Sequence, residues 1–270
     1  MTRSDWDDLP TTVREAITEH TGPIRRIHPA AVGNHADIAS TVTGEDGRKV
    51  FVKAARKLAD KDGPEVLSLR TEARVNPFVT EFAPQLQWTT EAGGWLVLGF
   101  EHLTGRHPDY APGSPDLDIV AATVQRLQKT PTPEIVDRPV TMRWALPNED
   151  PSPMDGQALL HTDLNASNLI ITPQESVYIV DWAFVARGAA WVELGQMIPW
   201  LLSAGHTPQS AETWLSQFPA WADAPASSID HYARLHTKVW TRRAQARPEP
   251  WIPPYLANVR RWAEFRGVLE

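Results

Sequence analysis

The stretch HTDLNASNLIITPQESVYIVDWAF, from His161 to Phe184, places polar side chains beside two short apolar runs. Asp163 and Asn168 stand just before the run LII, and Asp181 directly follows the run VYIV. Short apolar runs separated by turn residues predict two β-strands. Acids and amides at the ends of such strands indicate a site, and they raise the question of which chemistry needs them.

Phosphoryl transfer is a reaction that uses these residue types. A carboxylate such as Asp163 can accept the proton of an attacking hydroxyl, while Asn168 and Asp181 offer oxygen ligands of the kind that Mg²⁺ prefers. A loop with these residues can also be only a turn, because Asp and Asn side chains bond nearby backbone. The rest of the chain has to decide between these two interpretations.

The segments HTDLNASNLII and YIVDWAF resemble the catalytic and metal-binding loops of the aminoglycoside phosphotransferase family, small-molecule kinases with a protein-kinase-like fold. The resemblance implies that Asp163 is the catalytic residue and that Asn168 and Asp181 hold the metal. It also implies that His161 braces the loop. After Asp181, the segment RGAAWVELG resembles the start of a family helix, with Glu193 as a second bracing carboxylate.

Upstream residues extend the resemblance in the expected order. Lys53, in RKVFVKA, resembles the strand lysine that contacts the nucleotide phosphates, and Glu72, in SLRTEARV, resembles the glutamate that orients it. Taken alone, Lys53 is typical of a solvated strand end and Glu72 of a helix surface. The segment WLVLGFEHLTGRH resembles the fifth strand and hinge, which implies base contacts through backbone groups of Glu101, His102 and Leu103.

Three departures from the family pattern stand out. The segment PAAVGNHADIAS has one glycine, Gly33, in place of a glycine-rich phosphate loop. Ala183 stands where some members carry a second acid, so the expected metal ligands are Asn168 and Asp181 alone. Thr162 replaces the usual glycine of the catalytic loop.

The pattern of elements predicts an α+β protein with two lobes. Residues 1–100 read as a small, mostly antiparallel sheet with one interrupting helix, the nucleotide-binding lobe. Residues 101–270 read as mostly helical, the catalytic and substrate-binding lobe. The resemblance implies a bilobal protein-kinase-like fold for the same division.

Composition excludes several classes. With no cysteine, disulfides and thiolate chemistry are excluded. A net charge of −7 argues against nucleic-acid binding. No apolar segment is long enough for a membrane span, and no leader precedes the first helix, so we expect a cytoplasmic protein.

The resemblance implies a kinase that moves the γ-phosphate of ATP or GTP, with Mg²⁺, to a hydroxyl of a small molecule, such as an antibiotic. The alternative is an inactive nucleotide-binding interaction module of the same fold.

Eight of the twelve tryptophans lie from Trp182 onward. They indicate either helix packing or an aromatic wall for a substrate. Acids within residues 101–270 could line a pocket for a cation, or could simply be solvated: Asp109, Glu149, Asp150, Asp155, Asp223 and Asp230.

Overall fold

The computed structural model describes residues 5–30, 36–59, 61–246 and 249–269. The chain divides into two compact units, Met1–Arg106 with Ile170–Phe184, and His107–Leu169 with Val185–Glu270. Within the described ranges, no helix has the length and apolar character needed to cross a bilayer.

The first unit is built on a five-stranded antiparallel sheet with the order β1-β2-β3-β5-β4. Its strands are β1 (Ile24–Pro29), β2 (Ile38–Gly44), β3 (Lys49–Arg56), β4 (Leu86–Ala92) and β5 (Trp95–Glu101). The unit also contains the helices α1 (Thr11–Thr21) and α2 (Pro64–Val75). This order places β3 in the middle of the sheet, so the predicted lysine of that strand sits at its centre.

Turn chemistry fixes the register of the first hairpin. In the GEDGR turn between β2 and β3, the Gly44 N–H donates to the Arg48 carbonyl at 2.9 Å. Gly47 adopts φ +81°, a conformation that glycine takes without the steric penalty of a Cβ. The resulting register pairs Lys53 with Ala39 on one side and with Leu98 on the other.

The sheet has a core on each face, because side chains alternate along a strand. Val52 and Ala54 of β3 pack on the face covered by α1, through Val13 and Ile17. The opposite face carries Ala55 of β3 together with residues of α2 and β5: Val66, Leu69, Leu96, Leu98 and Phe100. Lys53 alternates with the first set, so its side chain extends toward the face that carries α2.

A hairpin from late in the chain belongs to the first unit. The strands β7 (Leu169–Ile171) and β8 (Val177–Ile179) pair with each other, and the turn Trp182–Phe184 packs against α2. The Ile179 N–H also donates to the Phe82 carbonyl. This pairing places Asp181 in the same unit as Lys53, although Lys53 and Asp181 are 128 residues apart in sequence.

The second unit is mostly helical. Its helices are α3 (Asp116–Lys129), α4 (Thr141–Trp144), α5 (Ala190–Ser203), α6 (Pro208–Leu215), α7 (Pro219–Ala222), α8 (Ala226–Ala246) and α9 (Ile252–Phe265). A small ribbon pairs β6 (Ala158–Leu160) with β9 (Ala186–Gly188). The helix α5 is almost entirely buried, and α8 and α9 pack against each other. This agrees with the α+β class predicted from the sequence.

Candidate functional site

A buried lysine cluster, formed by Lys53, Glu72 and Asp181, lies in the first unit. The Lys53 ammonium donates to both oxygens of Glu72 at 2.7 and 2.9 Å, and to Asp181 Oδ1 at 3.3 Å. The three side chains are 13%, 6% and 13% exposed. The middle strand, α2 and the β8 turn each supply one member, which brings together three residues predicted separately from the sequence.

The lysine keeps its charge in this environment. Burial alone would lower the pKa of Lys53, but the carboxylates of Asp181 and Glu72 outweigh burial and raise it. Burial raises the pKa of Glu72, and the ammonium of Lys53 opposes that shift. A fixed buried cation beside acidic oxygens is suited to holding a polyanion such as a triphosphate.

Asp181 occupies an unusual backbone conformation. Its φ is +67°, in the left-handed region that non-glycine residues seldom enter. Such conformations cost about 1–3 kcal/mol and persist only where the surroundings enforce them. Asp181 is held between the strand β8 before it and the turn Trp182–Phe184 after it. The Trp182 indole N–H donates to the Ile179 carbonyl at 2.9 Å and ties the turn to the strand.

The Asp163 loop, residues 161–168, forms a second cluster in the helical unit. Asn168 Nδ2 donates to Asp163 Oδ2 at 3.0 Å and to the Asp163 carbonyl at 2.9 Å. Asn165 Nδ2 donates to Asp163 Oδ1 at 3.1 Å. Each carboxylate oxygen of Asp163 therefore accepts one amide N–H, which holds the group in one orientation.

Asn165 has a role that the sequence analysis did not assign. Its side-chain oxygen accepts the Ser167 N–H at 2.9 Å and caps the short turn Ala166–Asn168. Its amide nitrogen then remains for Asp163. Asn side chains commonly bond the backbone two residues ahead, and this tendency is the sequence signal that would have identified the capping role of Asn165.

Glu193 holds the backbone of the Asp163 loop from the first turn of α5. Its carboxylate accepts the Thr162 N–H at 3.0 Å and the His161 N–H at 2.5 Å. His161 is fully buried, and its Nδ1 accepts the Asp163 N–H at 3.3 Å. Burial raises the pKa of Glu193 to about 7, although the bonds from Thr162 and His161 lower it.

Thr162, where the resemblance predicts glycine, has φ +68°. A β-branched residue is rare in this region, because its Cβ crowds the following carbonyl. Arg143 Nη1 donates to Thr162 Oγ1 at 2.7 Å and so provides a partner that glycine would lack. The buried Tyr110, from the segment before α3, donates to the Leu164 carbonyl of this loop at 3.1 Å. Neither Arg143 nor Tyr110 lies in a motif that sequence reasoning could recognise.

The residues expected to contact the base lie at the end of β5 in the first unit, beginning with Glu101, its last residue. The Glu101 N–H donates to the Gln85 carbonyl at 2.8 Å, so the expected base contacts cannot include that group. Burial, together with Lys49, lowers the pKa of His102, so its ring is neutral at pH 7. Leu103 follows in a segment without regular structure, and Gly33 lies outside the described residues.

Comparison with solved structures relates this architecture to known proteins. Choline kinase LicA from Streptococcus pneumoniae superposes with a TM-score of 0.65 at 14% identity, over 93% of this chain and 99% of that chain. Spectinomycin phosphotransferase, in its AMP-bound complex, gives a TM-score of 0.60 at 11% identity, over 96% and 98% of the two chains. The chain has the fold of the small-molecule kinases.

An amicoumacin kinase in complex with AMP-PNP, Ca²⁺ and Ami superposes with a TM-score of 0.55 at 11% identity, covering 93% of each chain. A scan against family models finds no match, and neither does a sequence comparison with curated proteins. The expected protein-kinase-like fold is confirmed by these neighbours. Identities this low show the fold alone, and the activity is argued from the residues of this chain.

Proposed function

We propose that the protein transfers the γ-phosphate of ATP or GTP, with Mg²⁺, to a hydroxyl of a small molecule. The observation that carries the proposal is the buried lysine cluster. Lys53 stays charged between Glu72 and Asp181, although replacing such a buried ion cluster as a whole by apolar side chains is often neutral or stabilising. An enzyme that must hold phosphates has a reason to keep this cation.

Asp163 is the proposed catalytic residue. Its carboxylate, held by the amides of Asn165 and Asn168, would accept the hydrogen bond of the acceptor hydroxyl and orient it for attack. Because the protein forms no covalent bond in this type of phosphoryl transfer, it accelerates the reaction by orienting the reactants and by stabilising charge. Glu193 and His161 would act through the loop backbone as positioning residues.

We propose Asn168 and Asp181 as the protein ligands of a magnesium ion held mainly by nucleotide phosphates. Asn168 donates its amide nitrogen to Asp163, which leaves its oxygen to serve as a ligand, and Asp181 offers a carboxylate. Among the described residues, no group of three or more His, Cys, Asp or Glu side chains could hold a metal ion. One or two protein oxygens with phosphates is the usual manner of Mg²⁺ binding. When bound, the ion would offset negative charge on the phosphates.

The acceptor is proposed to be a small hydroxylated molecule. Spectinomycin phosphotransferase and the amicoumacin kinase have the same fold as this chain, which supports an antibiotic as one class of acceptor. The test is a mass-spectrometric screen of hydroxylated antibiotics and metabolites, with Mg²⁺ and either ATP or GTP. We expect a phosphorylated product from the wild type and none from Asp163→Asn. Tight Mg-ATP binding without transfer to any compound would instead indicate an inactive nucleotide-binding module.

A further inference from the structure

Thr162 has a strained backbone at the point where the chain enters Asp163. Its side chain is 1% exposed, and its φ of +68° lies in the left-handed region. A β-branched residue is a clear exception there, because its Cβ crowds the neighbouring carbonyl. Such a conformation persists only where the surrounding structure enforces it. The contacts that hold Thr162 therefore also influence where Asp163 points.

Two groups from different helices bond Thr162. Glu193, in the first turn of α5, accepts the Thr162 N–H at 3.0 Å. Arg143, in α4, donates from Nη1 to Thr162 Oγ1 at 2.7 Å. The first bond would form with any residue that has a backbone N–H, whereas the second requires a side-chain acceptor at position 162. Arg143 therefore bonds a feature that is specific to the threonine.

The bond from Arg143 to Thr162 is of a strong kind. Hydrogen bonds from a charged guanidinium are shorter and stronger than those from a neutral N–H group. The hydroxyl that accepts this bond belongs to a fully buried side chain, so water cannot readily replace the arginine. Loss of the guanidinium would thus weaken the support of a residue whose backbone is already strained.

Arg143 is itself anchored through its backbone. The next residue of α4, Trp144, is 1% exposed and packs edge-on against rings of α8. The Val140 N–H donates to the Arg187 carbonyl of β9 at 2.8 Å, and the Arg143 N–H donates to the Val140 carbonyl at 2.9 Å. The guanidinium therefore reaches Thr162 from a fixed base, as a residue that positions another must.

The direction of the Asp163 carboxylate depends on the residue before it. Asn165 and Asn168 bond its two oxygens from the C-terminal side of the loop. On the N-terminal side, His161 Nδ1 accepts the Asp163 N–H at 3.3 Å, beyond the usual range of about 2.7–3.2 Å. Because peptide units are planar, the dihedral angles of Thr162 set the direction in which the chain enters Asp163.

The charge of Arg143 supports the same loop through Glu193. Burial raises the pKa of Glu193 to about 7, while the N–H groups of Thr162 and His161 and the positive charge of Arg143 lower it. An ionised carboxylate accepts backbone N–H groups more strongly than a protonated one does. Arg143 therefore favours the form of Glu193 that holds the loop.

We infer that Arg143 is a positioning residue of the proposed phosphotransferase. Through Thr162 it enforces the left-handed turn before Asp163, and it thereby fixes the carboxylate that receives the acceptor hydroxyl. This role rests on the proposed function and adds to it a residue outside every motif of the sequence. It requires no contact between Arg143 and the nucleotide, so replacing Arg143 should change kcat and not the KM for Mg-ATP.

A double-mutant cycle with Thr162→Gly tests this role, because glycine adopts a left-handed φ without support. The rate measured is that of Mg-ATP hydrolysis, in which water takes the place of the acceptor hydroxyl. Arg143→Met should lower kcat about tenfold or more, with the KM for Mg-ATP within about threefold of the wild type. In the Thr162→Gly background the same replacement should lower kcat less than about threefold, the part that acts through Glu193. Arg138→Met, an exposed arginine of the same segment, is the matched control and should leave kcat unchanged.

Hydrogen exchange followed by mass spectrometry gives a readout that needs no activity. Arg143→Met should speed exchange in the peptide that covers residues 161–168 about tenfold, because the loop opens more often without its support. With glycine at position 162, the same replacement should speed exchange less than about threefold. Peptides from β3 and α2 should exchange as in the wild type, which shows that the variants remain folded.

The outcomes separate this role from the proposed function. Equal losses of kcat and equal gains in exchange in both backgrounds would overturn it, because Arg143 would then act through the general stability of the fold. Wild-type kcat and wild-type loop exchange in Arg143→Met would overturn it as well. If the wild type neither hydrolyses Mg-ATP nor phosphorylates any compound of the screen, the proposed function is wrong. Loop exchange in the four variants of the cycle then still decides whether Arg143 enforces the turn.

Discussion

Replacing Lys53 with methionine should destabilise the protein in a manner that depends on pH. Lys53 bonds both Glu72 and Asp181, and its replacement removes that cation from beside two buried carboxylates. Breaking a buried ion pair by removing one partner costs about 3–5 kcal/mol. The loss should therefore be far larger than for an exposed pair.

The cost of protonating one of the two carboxyl groups sets an independent upper limit on that loss of stability. An orphaned carboxyl can escape its unfavourable charge by binding a proton, which at pH 7 costs about 3.7 kcal/mol for a group of ordinary pKa near 4.3. At pH 5 the same step costs about 1 kcal/mol. Because the folded pKa of the orphaned Glu72 would lie above its unfolded value, stability is retained at low pH and lost as the pH rises. The defect of Lys53→Met should thus shrink from about 4 to about 1 kcal/mol between pH 7 and pH 5.

Urea unfolding followed by tryptophan fluorescence measures this at both pH values. Lys57→Met is the matched control, because Lys57 pairs with Glu91 on the same sheet but both side chains are about a third or more exposed. That variant should lose less than about 1 kcal/mol at either pH. If Lys53→Met loses no more than Lys57→Met, or if its loss is the same at pH 5 and pH 7, the charged-cluster argument is wrong.

Three further predictions concern other parts of the molecule. Burial raises the pKa of Glu193 to about 7. The stability that its protonated form contributes is fully present below about pH 4.5 and falls by about 3 kcal/mol as the pH rises through 7. Glu193→Gln should flatten that slope in urea titrations from pH 4.5 to 8. Glu175 has φ +61° in the β7–β8 turn, so Glu175→Gly should raise stability by about 0.5–1 kcal/mol, whereas its neighbour Gln174→Gly, which has an ordinary φ, should lower it. A Cβ at Gly99 would lie 2.1 Å from the Trp88 ring, so Gly99→Ala should lower the unfolding free energy by about 1–3 kcal/mol, and no loss in thermal unfolding would show that the ring can move aside.

Local patterns were sufficient to predict the elements of the fold. The run RKVFVKAAR is typical of a β-strand and GEDGR of a hairpin turn, and the structure forms β3 and its hairpin with β2 at these positions. Apolar residues at helical spacing, such as Val66 and Leu69, are likewise typical of the helix α2 that forms there. Each of these signals is local, because side-chain periodicity and turn chemistry act within a few residues.

Features that depend on long-range packing were not predictable. Nothing local in VYIVDWAF shows that Asp181 joins the sheet-bearing unit and bonds Lys53. Arg143 lies in a proline-rich stretch without a motif, and its bond to Thr162 explains how a non-glycine residue occupies that left-handed position.

The tryptophans of the helical unit illustrate the same limit. Their number indicated packing or a substrate wall, and sequence alone could not separate the two. Trp262 packs against Tyr232 and Trp221 within the core. Trp144 and Trp240 have buried indole N–H groups without a partner among the described residues, and Arg243 lies over the Trp240 ring, which only three-dimensional contacts reveal.

The dependence of phosphoryl transfer on Asp163 tests the central claim most directly. Once the screen supplies an acceptor, the rate of product formation from Mg-ATP is measured for the wild type and for Asp163→Asn, with Mg-ATP affinity determined separately. We predict that Asp163→Asn lowers kcat at least about 100-fold and changes Mg-ATP affinity less than about threefold. Transfer by Asp163→Asn at close to the wild-type rate would contradict the account.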